Sequence, residues 1–182
     1  MTCLIIVDLQ NDFLPGGSLP TIEDARLVAM INAAQPDYDY CVATRDWHPP
    51  AHQSFEAVPG ICIDATPESI QWPAHCVQGT HGAAFAPGLA VPEHVFSKGQ
   101  REDVEAFSGF QSDGLARFVQ SRNVHRIDVV GLALEFCVKA TALDALKYAT
   151  EVRVLTGLTG RVFPDSAEEV ARELRAAGVV VI

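Results

Sequence analysis

Apolar positions fall in short β-branched runs that alternate with stripes spaced three and four residues apart, which predicts strands and helices in turn. Leu4 to Val7 is an unbroken apolar run, of the kind covered on both faces in a parallel sheet, and it stops at Asp8. Gln10 to Pro20 reads as a loop around a Pro15-Gly16-Gly17 turn. Thr21 and Asp24 resemble a capping box ahead of a stripe at Leu27, Met30, Ile31 and Ala34. Tyr40 to Thr44 is a second strand, ending just before Asp46, and Val95 to Ser97 a third, leading into Lys98. Leu115 to Ser121 has helical character. Ile127 to Val130 is a fourth strand closed by Gly131, and from Val138 a helix is expected with Ala142, Leu143, Leu146 and Ala149 on one face. Val152 to Thr156 is a fifth strand. Ser166 and Glu169 suggest a second capping box, opening a helix with Val170 and Leu174 inward, and Val179 to Ile182 closes as a sixth strand.

This alternation predicts an α/β fold: one domain over 1–182, with a doubly wound sheet of about six mainly parallel strands and helices on both faces. Ligands of such sheets sit beyond the carboxyl ends of the strands. Asp8, Asp46, Lys98 and the turn bearing Cys137 all follow strand ends, so the fold itself would gather them at one edge. Residues 46 to 93 stand apart, with seven prolines and little periodicity. A stretch of that length is expected to be functional or tied down.

Composition narrows the partners. A net charge of −10 opposes nucleic acid and anionic membrane and leaves a neutral small substrate open. No apolar run approaches the ~20 residues of a membrane helix. The N-terminal apolar run lacks a preceding basic region and reads as a strand rather than a signal peptide. Five cysteines without regular spacing do not suggest a disulfide framework, so a reducing cytoplasm is expected. Cys3, Cys41, Cys62 and Cys76 are expected in packing or loop roles.

Two constellations carry chemistry. Cys137 falls near a helix N-terminus directly after a strand, where unpaired N–H groups and the helix dipole lower a thiol pKa and offer donors to an oxyanion. Asp8 can take its proton and Lys98 can favour the thiolate. The second is Asp46-Trp47-His48, with His52 and His75 further on. Alternation in an extended segment puts Asp46 and His48 on one side, and a third imidazole from the long loop would complete a site for Zn, Fe or Mn. Surface histidines among prolines are the plainer reading. No dinucleotide fingerprint or phosphate-cradling loop is present, which disfavours cofactor-dependent redox chemistry.

Val7-Asp8-Leu9-Gln10-Asn11-Asp12-Phe13, Thr44-Arg45-Asp46-Trp47-His48-Pro49, Trp72-Pro73-Ala74-His75-Cys76, Lys98-Gly99 and Phe136-Cys137-Val138-Lys139-Ala140-Thr141 stand in order along nearly the whole chain. Together they resemble the nicotinamidase/pyrazinamidase branch of the isochorismatase-like cysteine hydrolases. The resemblance implies Asp8, Lys98 and Cys137 as a catalytic triad and Asp46, His48 and His75 as ligands of one divalent metal, Zn before Fe or Mn. It implies His52 as a fourth ligand only in some members, Phe13 and Trp72 as pocket walls, and a cis Leu132–Ala133 peptide whose Ala133 N–H joins that of Cys137 in the oxyanion hole. The activity implied is hydrolysis of nicotinamide to nicotinate and ammonia through a Cys thioester, with pyrazinamide as a further candidate substrate; a homo-oligomer is left open. The chain departs from the pattern at Leu134-Glu135, commonly Thr-Asp, and at Phe107, often Tyr. Two rivals remain: an amidase of the same superfamily for carbamoyl or ureido substrates, and a non-catalytic metal- or ligand-binding module.

Overall fold

The computed structural model describes residues 1–55, 71–112 and 114–182, and Cys62 lies outside them. Six strands run through these residues: β1 (Thr2–Val7), β2 (Tyr40–Asp46), β3 (His94–Lys98), β4 (Arg126–Gly131), β5 (Glu151–Thr159) and β6 (Val180–Val181). They form one sheet in the order β3-β2-β1-β4-β5-β6, with every neighbouring pair parallel. Helices α1 (Leu27–Ala34), α2 (Leu115–Ser121), α3 (Lys139–Ala145) and α4 (Ala167–Ala176) cover it.

The two faces are closed differently. Alternate β1 residues Cys3, Ile5 and Val7 pack with Leu115, Val138, Ala142 and Leu174, under α2, α3 and α4. Leu4 and Ile6 point the other way, onto Leu27 and Ile31 of α1 and onto Phe13, Leu19, Trp72 and Cys76 from loops. The proline-rich segment thus does the work of a helix on this face. Short backbone pairings fasten it to the sheet edge: His48 with Val77, Phe55 with Trp72, and Gln10 with Phe85.

Several local expectations change. Neither capping box forms: Thr21 Oγ1 bonds Phe13 O at 2.8 Å and Glu23 at 2.8 Å, and α1 starts only at Leu27. Ser166 Oγ turns instead to Glu135 at 2.6 Å and Phe163 O at 2.8 Å. Leu143 is exposed, because the buried stripe around α3 runs through Val138, Ala142 and Ala145. Between β4 and α3 the chain makes a π-helical turn, Leu134–Val138, so Cys137 precedes the α-helix rather than opening it.

At the centre of the sheet Asp128 is fully buried in β4. Arg153, its register partner on β5, grips both carboxylate oxygens, and Tyr38 donates its hydroxyl at 2.5 Å. Removing one partner of such a pair strands a charge away from water. Arg153→Met is therefore expected to destabilise the fold by about 3 kcal/mol, read as a lower urea midpoint. An added Asp128→Leu should recover part of that loss, since the buried carboxylate would be gone, and only part, since Arg126, 3.7 Å from Asp128, would lose its partner.

Candidate active site

Strand order decides which side chains meet. The carboxyl ends of β3, β2, β1 and β4 lie side by side, and β1/β4 is the point where the winding reverses. Lys98 and Asp46 are register partners at the ends of β3 and β2, and Val7 pairs with Gly131 at the ends of β1 and β4. Gly131, at φ +106°, approaches Val7 so closely that a Cβ would collide with the Val7 carbonyl. Asp8 follows β1 in the left-handed region, at φ +46°, unusual outside glycine. Its Oδ1 accepts the Thr44 hydroxyl at 2.7 Å.

Lys98, 1% exposed, joins these ends. Its ammonium lies 2.9 Å from Asp8 Oδ2, pairs with Asp46 Oδ1, donates to Ala106 O at 3.0 Å and reaches Cys137 Sγ at 3.4 Å. Burial alone would favour a neutral amine, but Asp46 and Asp8 outweigh it and hold Lys98 well above its ordinary value. Burial raises Asp8 and makes it a stronger base, with Lys98 pulling against it. Beyond the Lys98 ion pair, Asp8 Oδ2 has no hydrogen-bond partner among the described residues.

Cys137 departs from expectation. Burial pushes its thiol well above the ordinary value, with Lys98 opposing and Asp8 and Asp46 adding to the rise. A thiol beside one ammonium and two carboxylates feels net negative charge. The Leu132–Ala133 peptide is cis, as the resemblance implied. Ala133 O accepts from both Phe136 and Val138, each at 3.1 Å, and the second of these steps opens the π-helical turn around Cys137. π-Turns often mark functional positions.

On the other side of Asp46, ligand atoms of Asp46, His48 and His75 lie within 4.8 Å of one another, all three residues buried. His48 Nδ1 is 3.1 Å from Gly99 O, and His75 Nδ1 is 2.7 Å from Pro73 O. A carbonyl only accepts, so each Nδ1 carries the proton and each Nε2 offers its lone pair. Burial lowers the His75 pKa and keeps that ring neutral. Burial would raise Asp46, but Lys98, His48 and His75 together hold it well below the usual carboxylate range. Asp46 raises the His48 pKa against burial, so a metal there would have to displace a proton at low pH; with both rings neutral, the carboxylate and two imidazoles suit a divalent transition metal. His52 stands outside the cluster: Nδ1 meets Ser54 Oγ at 2.7 Å and Nε2 meets Val104 O at 3.1 Å, so both nitrogens are engaged.

A pocket opens between the two clusters. Phe13, Trp72 and Phe107 line it with Cys137 and the metal-type residues, and so do Phe136, Val162 and Glu105, which sequence reasoning did not single out for it. Phe136 stands edge-on to Trp72, with centroids 5.0 Å apart. Gln10 and Asp12 were quoted in a motif without a role. Fully buried Gln10 bonds both the N–H and the C=O of Asp46 at 2.8 Å. Asp12 accepts the Cys76 N–H at 2.7 Å, beside His75. Glu135, one of the departures, holds Val162 and Phe163 N–H groups and Ser166, fixing the segment that brings Val162 to the pocket.

Comparison with known proteins follows the same lines. The nicotinamidase/pyrazinamidase of Mycobacterium tuberculosis is 39% identical over 191 residues, spanning 100% of this chain and 98% of that protein. The pyrazinamidase of Pyrococcus horikoshii, solved in complex with zinc, superposes with a TM-score of 0.85 at 37% identity, covering 100% of this chain and 98% of that one. A protein of L. infantum solved in complex with nicotinate gives a TM-score of 0.87 at 38% identity, covering 100% and 92%. The isochorismatase domain family model matches residues 2–182, and the chain belongs to that family.

Proposed function

We propose that this chain hydrolyses nicotinamide to nicotinate and ammonia through a thioester on Cys137. The observation that carries the reading is one pocket lined both by Cys137, whose sulfur Lys98 reaches, and by the carboxylate–imidazole cluster of Asp46, His48 and His75. The M. tuberculosis relative is named for this activity and for pyrazinamide hydrolysis, and pyrazinamide is the second substrate to try.

The pyridine ring lies between Phe13, Trp72 and Phe136, with its carboxamide carbon toward Cys137. Asp8 takes the thiol proton as Sγ attacks, and Lys98 stabilises the sulfur as charge develops on it. The Ala133 and Cys137 N–H groups receive the oxyanion. Asp8 returns the proton to the leaving ammonia, then deprotonates the water that cleaves the thioester. Asp46, His48 and His75 would hold the metal, zinc before iron or manganese, which supplies a Lewis-acid site for the ring nitrogen. That site favours nicotinamide over carbamoyl or ureido substrates, which lack a ring nitrogen. Cys3, Cys41, Cys76 and Cys137 are free thiols, which suits a reducing cytoplasm.

Cys137→Ala is expected to lower kcat roughly 10,000-fold with an unchanged circular dichroism spectrum; ammonia release from nicotinamide measures it. Substantial residual turnover would exclude the covalent route.

Because the thiol is held above its ordinary value, it stays protonated at neutral pH until a substrate draws its proton to Asp8. Iodoacetamide alkylation of metal-free protein should therefore rise with pH through a midpoint above the ~8.5 of a free thiol. Lys98→Met should move the midpoint higher still, because it removes the cation that opposes burial.

Exhaustive chelation, checked by mass spectrometry, should raise KM for nicotinamide and loosen the segment carrying His75, read by hydrogen exchange. Zn, Mn or Fe should restore activity, and Mg, which prefers all-oxygen ligands, should not. His75→Ala should reproduce the chelated state. Full activity at negligible metal content would sink the metal assignment.

A further inference from the structure

One charged group on the pocket wall has no task in the reaction above. Glu105 lines the pocket with Phe107 and Cys137. Its Oε1 accepts the Ala106 N–H at 3.0 Å, and among the described residues no lysine or arginine pairs with it. His48 and His75 line the same pocket, and its negative charge favours the charged form of both rings.

Amide hydrolysis turns a neutral ligand into an anion that occupies the same place. Lys98 and any cation held by Asp46, His48 and His75 attract that anion more than its neutral precursor. Asp8 and Asp46 are already committed to Lys98. Glu105 is not committed to a cation, and it lines the pocket that takes the ligand. A fixed charge acts strongly on a net charge and weakly on a neutral amide, since the interaction with a dipole falls off faster with distance.

We propose that Glu105 is a specificity-determining residue that discriminates between neutral carboxamide and anionic carboxylate, repelling the product so that it leaves a pocket otherwise built to retain it. This rests on the amide-hydrolysis reading. The local bond to Ala106 N–H does not account for it, because a neutral glutamine oxygen would serve that bond equally well.

The test compares full-length, metal-loaded wild type with Glu105→Gln, Glu105→Ala and Glu105→Asp. Two quantities are read: the nicotinate dissociation constant by calorimetry and the nicotinamide KM from ammonia release. The ratio of the first to the second should fall about three- to tenfold in Glu105→Gln and in Glu105→Ala, a range set by a partly exposed charge acting through the pocket. In Glu105→Asp it should stay near the wild-type value. Added salt should narrow the gap between wild type and Glu105→Gln. An unchanged ratio in both neutral variants overturns the proposal, and so does an equal fall in Glu105→Asp, which would make shape rather than charge responsible. Absence of nicotinamide turnover by wild type would instead overturn the functional reading on which the proposal rests.

Discussion

A single buried ammonium holds the site together. Lys98 sits at the end of β3 with no access to water, so its charge persists only because Asp8 and Asp46 neutralise it from β1 and β2. Removing either carboxylate would take away one of the two partners that offset the burial of this ammonium, which is more costly than losing a surface pair. The arrangement is over-determined from several directions. Thr44 holds Asp8, Gln10 holds the backbone of Asp46, and Ala106 O takes a further Lys98 proton. Three strand ends are thereby fixed relative to one another before any ligand enters, the preorganisation that electrostatic catalysis requires.

Asp46 belongs to two clusters at once. One oxygen pairs with Lys98, while the other lies 3.8 Å from His48 Nε2, toward the ring that His75 also faces. A cation among Asp46, His48 and His75 would share that carboxylate with Lys98 and weaken its hold on the ammonium. On the proposed reading, the group that orients the substrate and the group that attacks it are electrically one unit, although they lie on opposite sides of the pocket.

Much of this was legible in the chain because strand ends are marked by abrupt changes of residue type. Leu4 to Val7 stopping at Asp8, and Val95 to Ser97 stopping at Lys98, locate a sheet edge without any knowledge of pairing order. The edge could be read, but its electrostatics could not. A helix N-terminus with a nearby lysine suggested an acidic thiol. The opposite direction follows from the depth of burial and from a second carboxylate, Asp46, placed close by the pairing of β2 with β3. Sequence spacing carries neither quantity. Gln10 was opaque for a similar reason: a glutamine that replaces a strand's hydrogen bonds to Asp46 looks, in sequence, like any loop residue. The capping boxes failed because Thr21 and Ser166 each had a tertiary partner that outcompeted the local one.

Glu135 shows why a departure from a motif need not be a loss. The family pattern commonly has aspartate there, and the longer side chain in this chain still ends in a carboxylate. That carboxylate gathers the Val162 and Phe163 N–H groups and the Ser166 hydroxyl at distances of 2.6–3.2 Å. These donors sit ahead of or at the start of α4, on a segment that needs an acceptor in order to be held near the pocket. What the position requires is therefore a buried acceptor able to take several donors, and a carboxylate on either stem provides one.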